Sequence, residues 1–244
     1  MRLLIVWAGV LLATCGQPQW SFREDQLQFS RVRAAYQHHG STVQALFVKH
    51  GIDPQRPELF VRAIKTRRQL EVWGRTSGQG SYQLLRAYHI AATSGTLGPK
   101  RREGDLQVPE GFYFIDRFNP SSTFHLSLGL NYPNAADRQR SDPQHPGGDI
   151  FIHGSNVTIG CLPITDDKIE ELYVLLVEAR TGGQEQIPVH IFPFDLTPTN
   201  LTARAHSPHH SFWRELAPGF RYFEQHRQLP TVDVTAEGSY AVGP

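Results

Sequence analysis

A short segment in the second half of the chain holds a histidine and a cysteine on either side of a turn. Residues 147–163 read GGDIFIHGSNVTIGCLP. The apolar run Ile150–Ile152 predicts a buried strand that ends at His153. The small polar residues that follow predict a turn, and Cys161 lies shortly before a helix that begins near Thr165. Because such a turn folds the chain back within about eight residues, we expect Cys161 and His153 to lie close together.

This residue set is suited to nucleophilic catalysis. The thiolate is the reactive form of a cysteine, and a neighbouring histidine such as His153 takes the proton from the Cys161 thiol. Backbone N–H groups at Ile159 and Gly160 are expected to stabilise a substrate oxyanion, an effect of about 3–4 kcal/mol per donor. The Gly154 carbonyl is expected to accept a hydrogen bond from the second ring nitrogen and so orient the ring. An inert cysteine that packs as a small hydrophobic residue is the alternative interpretation.

Outside this segment, hydrophobic periodicity predicts a mainly β fold with flanking helices (α+β). The predicted strands cover residues 59–64, 69–73, 82–92, 111–116, 124–130, 150–153 and 187–192. The predicted helices cover residues 21–39, 41–47, 165–180 and 211–226, with a stop at Gly40, an N-cap at Thr165 and a break or kink at Pro218. The polar segment 95–109 predicts a loop.

The composition is that of a folded globular protein. Hydrophobic residues make up 39% and charged residues 19% of the 244 positions, which is too apolar for a disordered chain. The formal net charge of +1 argues against a dedicated nucleic-acid-binding protein, because such proteins carry a basic excess. No apolar run reaches the roughly 20 residues that a membrane-spanning helix requires.

The first residues have the pattern of an export signal. Arg2 is followed by the apolar stretch Leu3–Ala13 of about eleven residues, which is too short to span a bilayer. The sequence LATCG at residues 12–16 is similar to the lipobox of bacterial lipoproteins. We therefore expect residues 1–15 to be a lipoprotein-type signal peptide, with Cys15 as a lipid anchor in the periplasm or cell envelope. Cleavage to a soluble exported protein and retention in the cytoplasm are the alternatives.

The two cysteines are not expected to form a disulfide bond. Cys15 is either lipidated or removed with the signal, so that Cys161 is left as an unpaired thiol in an oxidising compartment. The twelve histidines include two adjacent pairs, at residues 38–39 and 209–210. Adjacent histidines seldom direct both rings at one ion, and no His-Glu-x-x-His motif is present. The sequence therefore predicts no metal site and no cofactor.

Several motifs resemble the L,D-transpeptidases, a family with a YkuD-type catalytic domain. In that family a His-Gly pair precedes Ser/Thr-x-Gly-Cys, and the corresponding residues here are HG at 153–154 and TIGC at 158–161. Isoleucine before the Gly-Cys pair resembles the YafK-like branch. Further motifs similar to that branch are GPKRREGD at 98–105, PEGFY at 109–113, NYPNAADR at 131–138, IFPF at 191–194, FW at 212–213 and YFEQ at 222–225. The resemblance covers residues 58–232.

The resemblance implies a β-sandwich-like catalytic domain that acts on peptidoglycan stem peptides without a cofactor. It implies that Cys161 is the nucleophile, that His153 is the general base and that the Gly154 carbonyl orients the base. The implied reaction is attack on the carbonyl at the L-centre of meso-diaminopimelate, which gives a thioester acyl-enzyme and expels the group beyond that carbonyl. An amine then takes the acyl group.

The implied domain organisation has four segments. Residues 1–15 are the signal, 16–57 a tether with an N-terminal helical segment, 58–195 the catalytic domain and 196–244 a C-terminal helical extension packed on it. Basic residues near the motifs are expected to bind stem-peptide carboxylates. The predicted substrate-binding residues are Lys100, Arg102, Asn134, Arg138 and Ser155. A solvated basic loop is the alternative for the charged members of this set.

Three other functions remain open from the sequence. The first is an amidase that uses the same thioester and water to release a protein or peptide, such as a wall-linked lipoprotein, from diaminopimelate. The second is a cell-wall-binding lipoprotein without catalysis. The third is a zinc enzyme, which metal analysis of the purified protein would reveal.

Overall fold

The computed structural model describes residues 21–244 of the chain, so that the predicted signal peptide and Cys15 lie outside the described residues. The strands are β1 (Pro57–Ile64), β2 (Gln69–Thr76), β3 (Gln83–His89), β4 (Gly111–Asn119), β5 (Ser127–Leu130), β6 (Phe151–His153), β7 (Leu162–Pro163), β8 (Pro188–Phe192), β9 (Thr231–Val234) and β10 (Tyr240–Gly243). The helices are α1 (Phe22–Gln26), α2 (Ser30–Lys49), α3 (Ala135–Arg140), α4 (Asp166–Thr181), α5 (Pro198–Thr202) and α6 (His210–His226).

The first eight strands form one curled sheet in the order β3-β2-β1-β8-β4-β5-β6-β7. Strand β8 pairs parallel to β1 and antiparallel to β4, and β6 pairs parallel to β7 at one end of the sheet. The remaining strands, β9 and β10, form a separate antiparallel pair. The prediction of a mainly β fold with flanking helices is confirmed. The order of the strands places the histidine and cysteine segments together at the β6–β7 end.

Helix α4 forms the centre of the main core. Every residue from Ile169 to Ala179 is buried, as expected of a helix that is covered on all sides. It packs against strands β1, β5 and β6 on one side and against helices α1 and α2 on another. Thr165 occupies the predicted N-cap position, but its side chain makes no capping hydrogen bond. Its backbone N–H instead donates to the Ser155 carbonyl at 3.1 Å, which ties the start of α4 to the turn after His153.

The N-terminal helical segment differs from the prediction. Helix α2 continues through Gly40, and the chain is interrupted earlier, between Gln26 and Ser30. A glycine inside a helix costs only about 1 kcal/mol, whereas each large apolar side chain that becomes buried contributes about 1.5–3 kcal/mol. Val43, Leu46 and Phe47 are buried on α2 beyond Gly40, so that packing outweighs the low helix propensity of glycine.

The C-terminal helix is also continuous at Pro218, where a break or kink was predicted, so that no break occurs there. Helix α6 runs through Pro218 and Gly219. A Cβ atom at Gly219 would lie 2.7 Å from the Phe112 ring, so that glycine allows α6 to approach strand β4 closely. Burial of Leu216 and Phe220 in the same cluster as Phe112 compensates for the backbone hydrogen bond that the proline cannot make.

Several short elements were not predicted. Helices α3 and α5, strand β7 and the β9–β10 hairpin have between two and six residues each. The segment expected to be a helical extension therefore also contains a hairpin. Patterns this short carry little periodic signal. Among residues 21–244, no helix is long and apolar enough to cross a membrane.

Candidate active site

The two parallel strands at the end of the sheet bring the histidine and cysteine segments together. Ile152 pairs with Leu162 and His153 with Pro163, so that His153 ends β6 and Cys161 immediately precedes β7. The Phe151 N–H donates to Cys161 Sγ at 3.4 Å. The predicted turn therefore places Cys161 directly before the strand that pairs with the one ending at His153.

The ring of His153 is held in one orientation. Its Nδ1 lies 2.5 Å from the Gly154 carbonyl oxygen, and because a carbonyl only accepts, Nδ1 carries the proton. The ring stacks on Phe124, with centroids 4.6 Å apart. Burial lowers the pKa of His153 below its usual value of 6.5. At neutral pH the ring is therefore uncharged and presents an unprotonated Nε2, which is the state required of a general base.

Residue 154 must be glycine for this arrangement. Its N–H donates to the carbonyl oxygens of Phe124 at 3.1 Å and Leu126 at 3.3 Å. A Cβ atom on Gly154 would lie 2.6 Å from the Phe124 oxygen. The residue that orients His153 is thus itself fixed by the segment before β5, and a larger side chain would displace its carbonyl.

The Cys161 thiol is protonated in the resting protein. Burial raises the pKa of the thiol above its usual value of 9.0, although the nearby Lys100 ammonium acts in the opposite direction. The thiol donates to the Asp149 carbonyl at 3.6 Å. Among the described residues, Cys161 Sγ makes no hydrogen bond to His153. Catalytic hydrogen bonds are often long in enzymes without substrate and shorten in the complex.

Thr158 holds the loop before the cysteine, a role that the sequence analysis did not identify. Its Oγ1 accepts hydrogen bonds from the N–H groups of Gly160 at 3.1 Å and Cys161 at 2.7 Å. The same hydroxyl donates to the Cys161 carbonyl at 2.8 Å. The predicted oxyanion donor at Gly160 is therefore occupied by Thr158 in this structure. The neighbouring Ile159 side chain is 78% exposed.

A cavity of about 550 Å³ opens beside Cys161. Gly160 and Ile159 form part of its wall, together with Lys100. Lys100 is buried, and its Nζ bonds to Asp105 Oδ1 at 2.6 Å and to the Arg102 carbonyl at 2.9 Å. Lys100 is thus the one predicted substrate-binding residue that lines this cavity, and it is already paired with a carboxylate.

The other predicted substrate-binding residues do not line the cavity. Arg102 and Arg138 have exposed side chains, and neither belongs to the cavity wall. Asn134 is buried as the N-cap of α3, where its side chain bonds to Asp137, Phe112 and Tyr240. The Ser155 N–H donates to Asp166 Oδ1 at 2.7 Å. Asn134 and Ser155 therefore have structural contacts that sequence motifs alone did not reveal.

One group of side chains has the arrangement of metal ligands. His38, His39 and Glu170 each offer a ligand atom, and these atoms lie within 4.8 Å of one another. Although adjacent histidines seldom face one ion, the nitrogens of residues 38 and 39 lie close enough together for a shared ligand set. His38 faces Glu170 with its Nδ1 and His39 faces it with its Nε2. Because Nε2 is farther from the backbone than Nδ1, both rings reach the same carboxylate although the two side chains leave the helix in different directions.

Comparisons with known proteins identify the family. The model of the YkuD-type L,D-transpeptidase catalytic domain matches residues 60–191. YafK of Escherichia coli (strain K12) is 38% identical over 186 residues, which cover 75% of this chain and 73% of YafK.

Among solved structures, the helical cell shape determining protein Pgp2 of Campylobacter jejuni matches with a TM-score of 0.44 at 18% identity, over 74% of this chain and 73% of Pgp2. Bd1075 of Bdellovibrio bacteriovorus matches with a TM-score of 0.40 at 22% identity, over 68% of this chain and 57% of Bd1075. From the family model and the identity to YafK, the chain belongs to the L,D-transpeptidase family with a YkuD-type catalytic domain.

Proposed function

We propose that this protein is a cysteine acyltransferase that remodels peptidoglycan by attack on the L-centre carbonyl of meso-diaminopimelate in stem peptides. The observation that carries the proposal is the orientation of His153. Its Nδ1–H is fixed on the Gly154 carbonyl at 2.5 Å, and Cys161 immediately precedes the adjacent strand and lines a cavity. Family membership supports a peptide of the cell wall as the substrate.

The first half of the reaction forms a thioester. His153 Nε2 takes the proton of the Cys161 thiol as the sulfur attacks the substrate carbonyl carbon. The C–N bond to the group beyond diaminopimelate then breaks, and the leaving amine takes the proton from the imidazolium. Because the resting thiol is protonated and the imidazole neutral, the proton moves only when the substrate brings the reacting groups together.

The second half transfers the acyl group to an acceptor amine. The amine attacks the thioester carbonyl while His153 takes one of its protons. The C–S bond breaks, and the departing sulfur of Cys161 receives that proton. Water in place of the amine would give hydrolysis through the same steps, so that the outcome depends on which acceptor reaches the thioester.

The charges around the cavity support a zwitterionic substrate. Lys100 lines the cavity together with Glu103 and Asp149. Diaminopimelate carries both amino and carboxyl groups, and charges of both signs in the wall can pair with both kinds of group. The Lys100 ammonium group is held in position by its bond to Asp105. A substrate carboxylate would bind the same ammonium group together with Asp105.

The test is mass spectrometry of muropeptides after incubation with the purified protein and with a Cys161→Ala variant. One sample contains tetrapeptide stems and a second contains stems that still carry a linked lysine peptide. We expect new cross-linked dimers with the parent protein and none with the variant. Loss of the linked peptide without dimers would establish the amidase instead. No change that depends on Cys161 in either sample would contradict both activities and favour a wall-binding protein.

We also propose that the protein acts in the periplasm or cell envelope, since a peptidoglycan substrate is found there. The signal-like residues 1–15 and the lipobox-like Cys15 support export with a lipid anchor. Mass spectrometry of the N-terminal peptide from cells would test this. An acylated N-terminal Cys15 is the expected result, and an intact Met1 would contradict export.

A further inference from the structure

A cluster of histidines and carboxylates lies where three elements meet, outside the cavity that contains Cys161. His38 and His39 belong to α2, Asp167 and Glu170 to α4, and His125 to the segment between β4 and β5. Glu170 is central to the cluster, because its Oε2 lies 2.7 Å from His38 Nδ1 and 3.7 Å from His39 Nε2. Its other oxygen, Oε1, lies 2.6 Å from His125 Nε2.

We propose that His38 Nδ1, His39 Nε2 and Glu170 Oε2 form a binding site for a divalent cation of the Zn²⁺ class. Zinc–ligand bonds of about 2.0–2.1 Å place tetrahedral ligand atoms about 3.3 Å apart. The separations of 2.7 and 3.7 Å from Glu170 Oε2 lie on either side of that value. Two imidazoles and one carboxylate match the preference of zinc and similar transition metals, whereas calcium and magnesium prefer oxygen ligands alone.

The unsatisfied nitrogen of His39 also favours a cation. His39 Nε2 is buried and has no hydrogen-bond partner among the described residues. Its nearest carboxylate oxygens, on Asp167 at 3.4 Å and on Glu170 at 3.7 Å, are at distances that suit shared coordination of an ion. The Glu170 side chain is only 9% exposed, and its two oxygens already face His38 Nδ1 at 2.7 Å and His125 Nε2 at 2.6 Å. A bound cation would give His39 Nε2 a partner and would be held by the negative charge of this buried carboxylate.

The surroundings hold the ligands in place. His125 contacts the Glu170 oxygen that does not face the two ligating histidines, and such outer contacts orient a ligating carboxylate. Arg31, also on α2, donates to the carbonyls of Ser122 at 2.6 Å and His125 at 2.7 Å. The exposed Asp167 side chain, with its Oδ1 3.4 Å from His39 Nε2, is within reach of the fourth coordination position. Water would fill that position otherwise.

The site would join the N-terminal helical segment to the segment that supports the catalytic histidine. His125 lies between Phe124, whose ring stacks on His153, and Leu126. The carbonyls of both neighbours accept the Gly154 N–H. A cation held by α2 and α4 would therefore stabilise the packing on which the orientation of His153 depends, without contacting the substrate or the reacting atoms.

The experiment is calorimetric titration of the chelator-treated full chain with Zn²⁺ alone, in a Cys161→Ala background so that the thiol cannot bind the metal. We expect one saturable site per chain with micromolar or tighter affinity, and a rise in Tm when zinc is added. His39→Asn and Glu170→Gln should each weaken binding by at least about 10-fold. His89→Asn, which changes an exposed histidine on β3 outside the cluster, should bind zinc as the parent does.

Two results would overturn the proposal. One is the absence of saturable 1:1 binding to the parent protein, and the other is unchanged affinity in either ligand variant. The Tm and circular dichroism of each variant without metal show whether it folds. Should a ligand variant fail to fold, the visible spectrum of the parent with Co²⁺ decides the question. Intense bands of four- or five-coordinate cobalt support the site, and the weak bands of the six-coordinate aqueous ion contradict it.

Discussion

At the scale of single residues, the candidate nucleophile and base are both uncharged at rest. Burial acts in opposite directions on the two groups, because it disfavours the charged form of each. The pKa of Cys161 rises and that of His153 falls. The resting pair is therefore a thiol with a neutral imidazole and not a thiolate–imidazolium ion pair. Such a pair protects the thiol from oxidants in the absence of substrate, since the thiolate is the reactive form.

This charge state predicts the pH dependence of the protein. The acid limb of kcat/KM should have its midpoint below pH 6.5, because the lowered pKa of His153 keeps its Nε2 free to accept a proton at lower pH. Alkylation of Cys161 by iodoacetamide in the free protein should increase through a midpoint above pH 9.0, since burial raises the pKa of the thiol. Alkylation that is already maximal at neutral pH would show that the ion pair forms without substrate.

Thr158 is predicted to position the nucleophile. Thr158→Val keeps the shape of the side chain but removes three hydrogen bonds to residues 160 and 161. We expect kcat/KM to fall by about 10- to 100-fold, since 1.4 kcal/mol corresponds to a factor of ten. Thr158→Ser, which retains the hydroxyl, should restore most of the activity. Equal loss in both variants would mean that the methyl group matters and not the hydrogen bonds.

At the scale of elements, two helix glycines are predicted to respond to alanine with opposite signs. A Cβ atom at Gly40 would meet only the Tyr36 ring at 3.5 Å, an ordinary contact. Gly40→Ala should therefore raise the free energy of unfolding by about 0.5–1 kcal/mol. Gly219→Ala should lower it by about 1–3 kcal/mol, because its Cβ would lie 2.7 Å from Phe112.

Urea unfolding of the two glycine variants beside the parent protein checks this pair. Both substitutions change helix propensity in the same direction, so that any difference in sign comes from packing. Destabilisation by Gly40→Ala would indicate that α2 requires local flexibility at residue 40. Stabilisation by Gly219→Ala would indicate that the Phe112 ring moves away at little cost.

At the scale of the whole molecule, the buried side chain of Arg62 joins the first two strands to the C-terminal helix. Arg62 on β1 is 4% exposed and bonds to Glu71 on β2 at 2.7 Å and to Glu224 on α6 at 2.5 Å. Its guanidinium also lies over the rings of Trp73 and Phe223. These contacts hold α6 on strands β1 and β2, near the end of the sheet opposite β6 and β7.

Removal of the Arg62 side chain is predicted to be strongly destabilising. Arg62→Ala removes the buried cation at 2.7 Å from the Glu71 carboxylate and leaves only the half-exposed Arg67 at 3.9 Å, which should cost about 3–5 kcal/mol in urea unfolding. Lys168→Ala is the control, because the Lys168 side chain is 49% exposed and pairs with Asp167 at the surface, and such pairs contribute about 0–1 kcal/mol. Similar losses in the two variants would show that burial of Arg62 adds no stability.

Features that depend on neighbours along the chain were predictable. The proximity of the His153 and Cys161 segments follows from a strand and a turn within one short segment, although strand β7 itself was not predicted. The Nδ1 bond to Gly154 joins adjacent residues. The seven predicted strands and helix α4 were found to within a few residues because alternation and helical spacing are local patterns. The family motifs lie in the same local segments.

Features that depend on distant segments were decided only by the tertiary structure. Asn134 bonds to Tyr240, which is distant in sequence, although its motif predicted a substrate contact. The cluster of His38, His39 and Glu170 joins helices α2 and α4, which are separated by most of the sheet in sequence. The periodicity of the sequence indicates which side chains become buried. Which of them contact one another is decided by tertiary packing, because each contact between distant segments depends on how all the intervening elements fold.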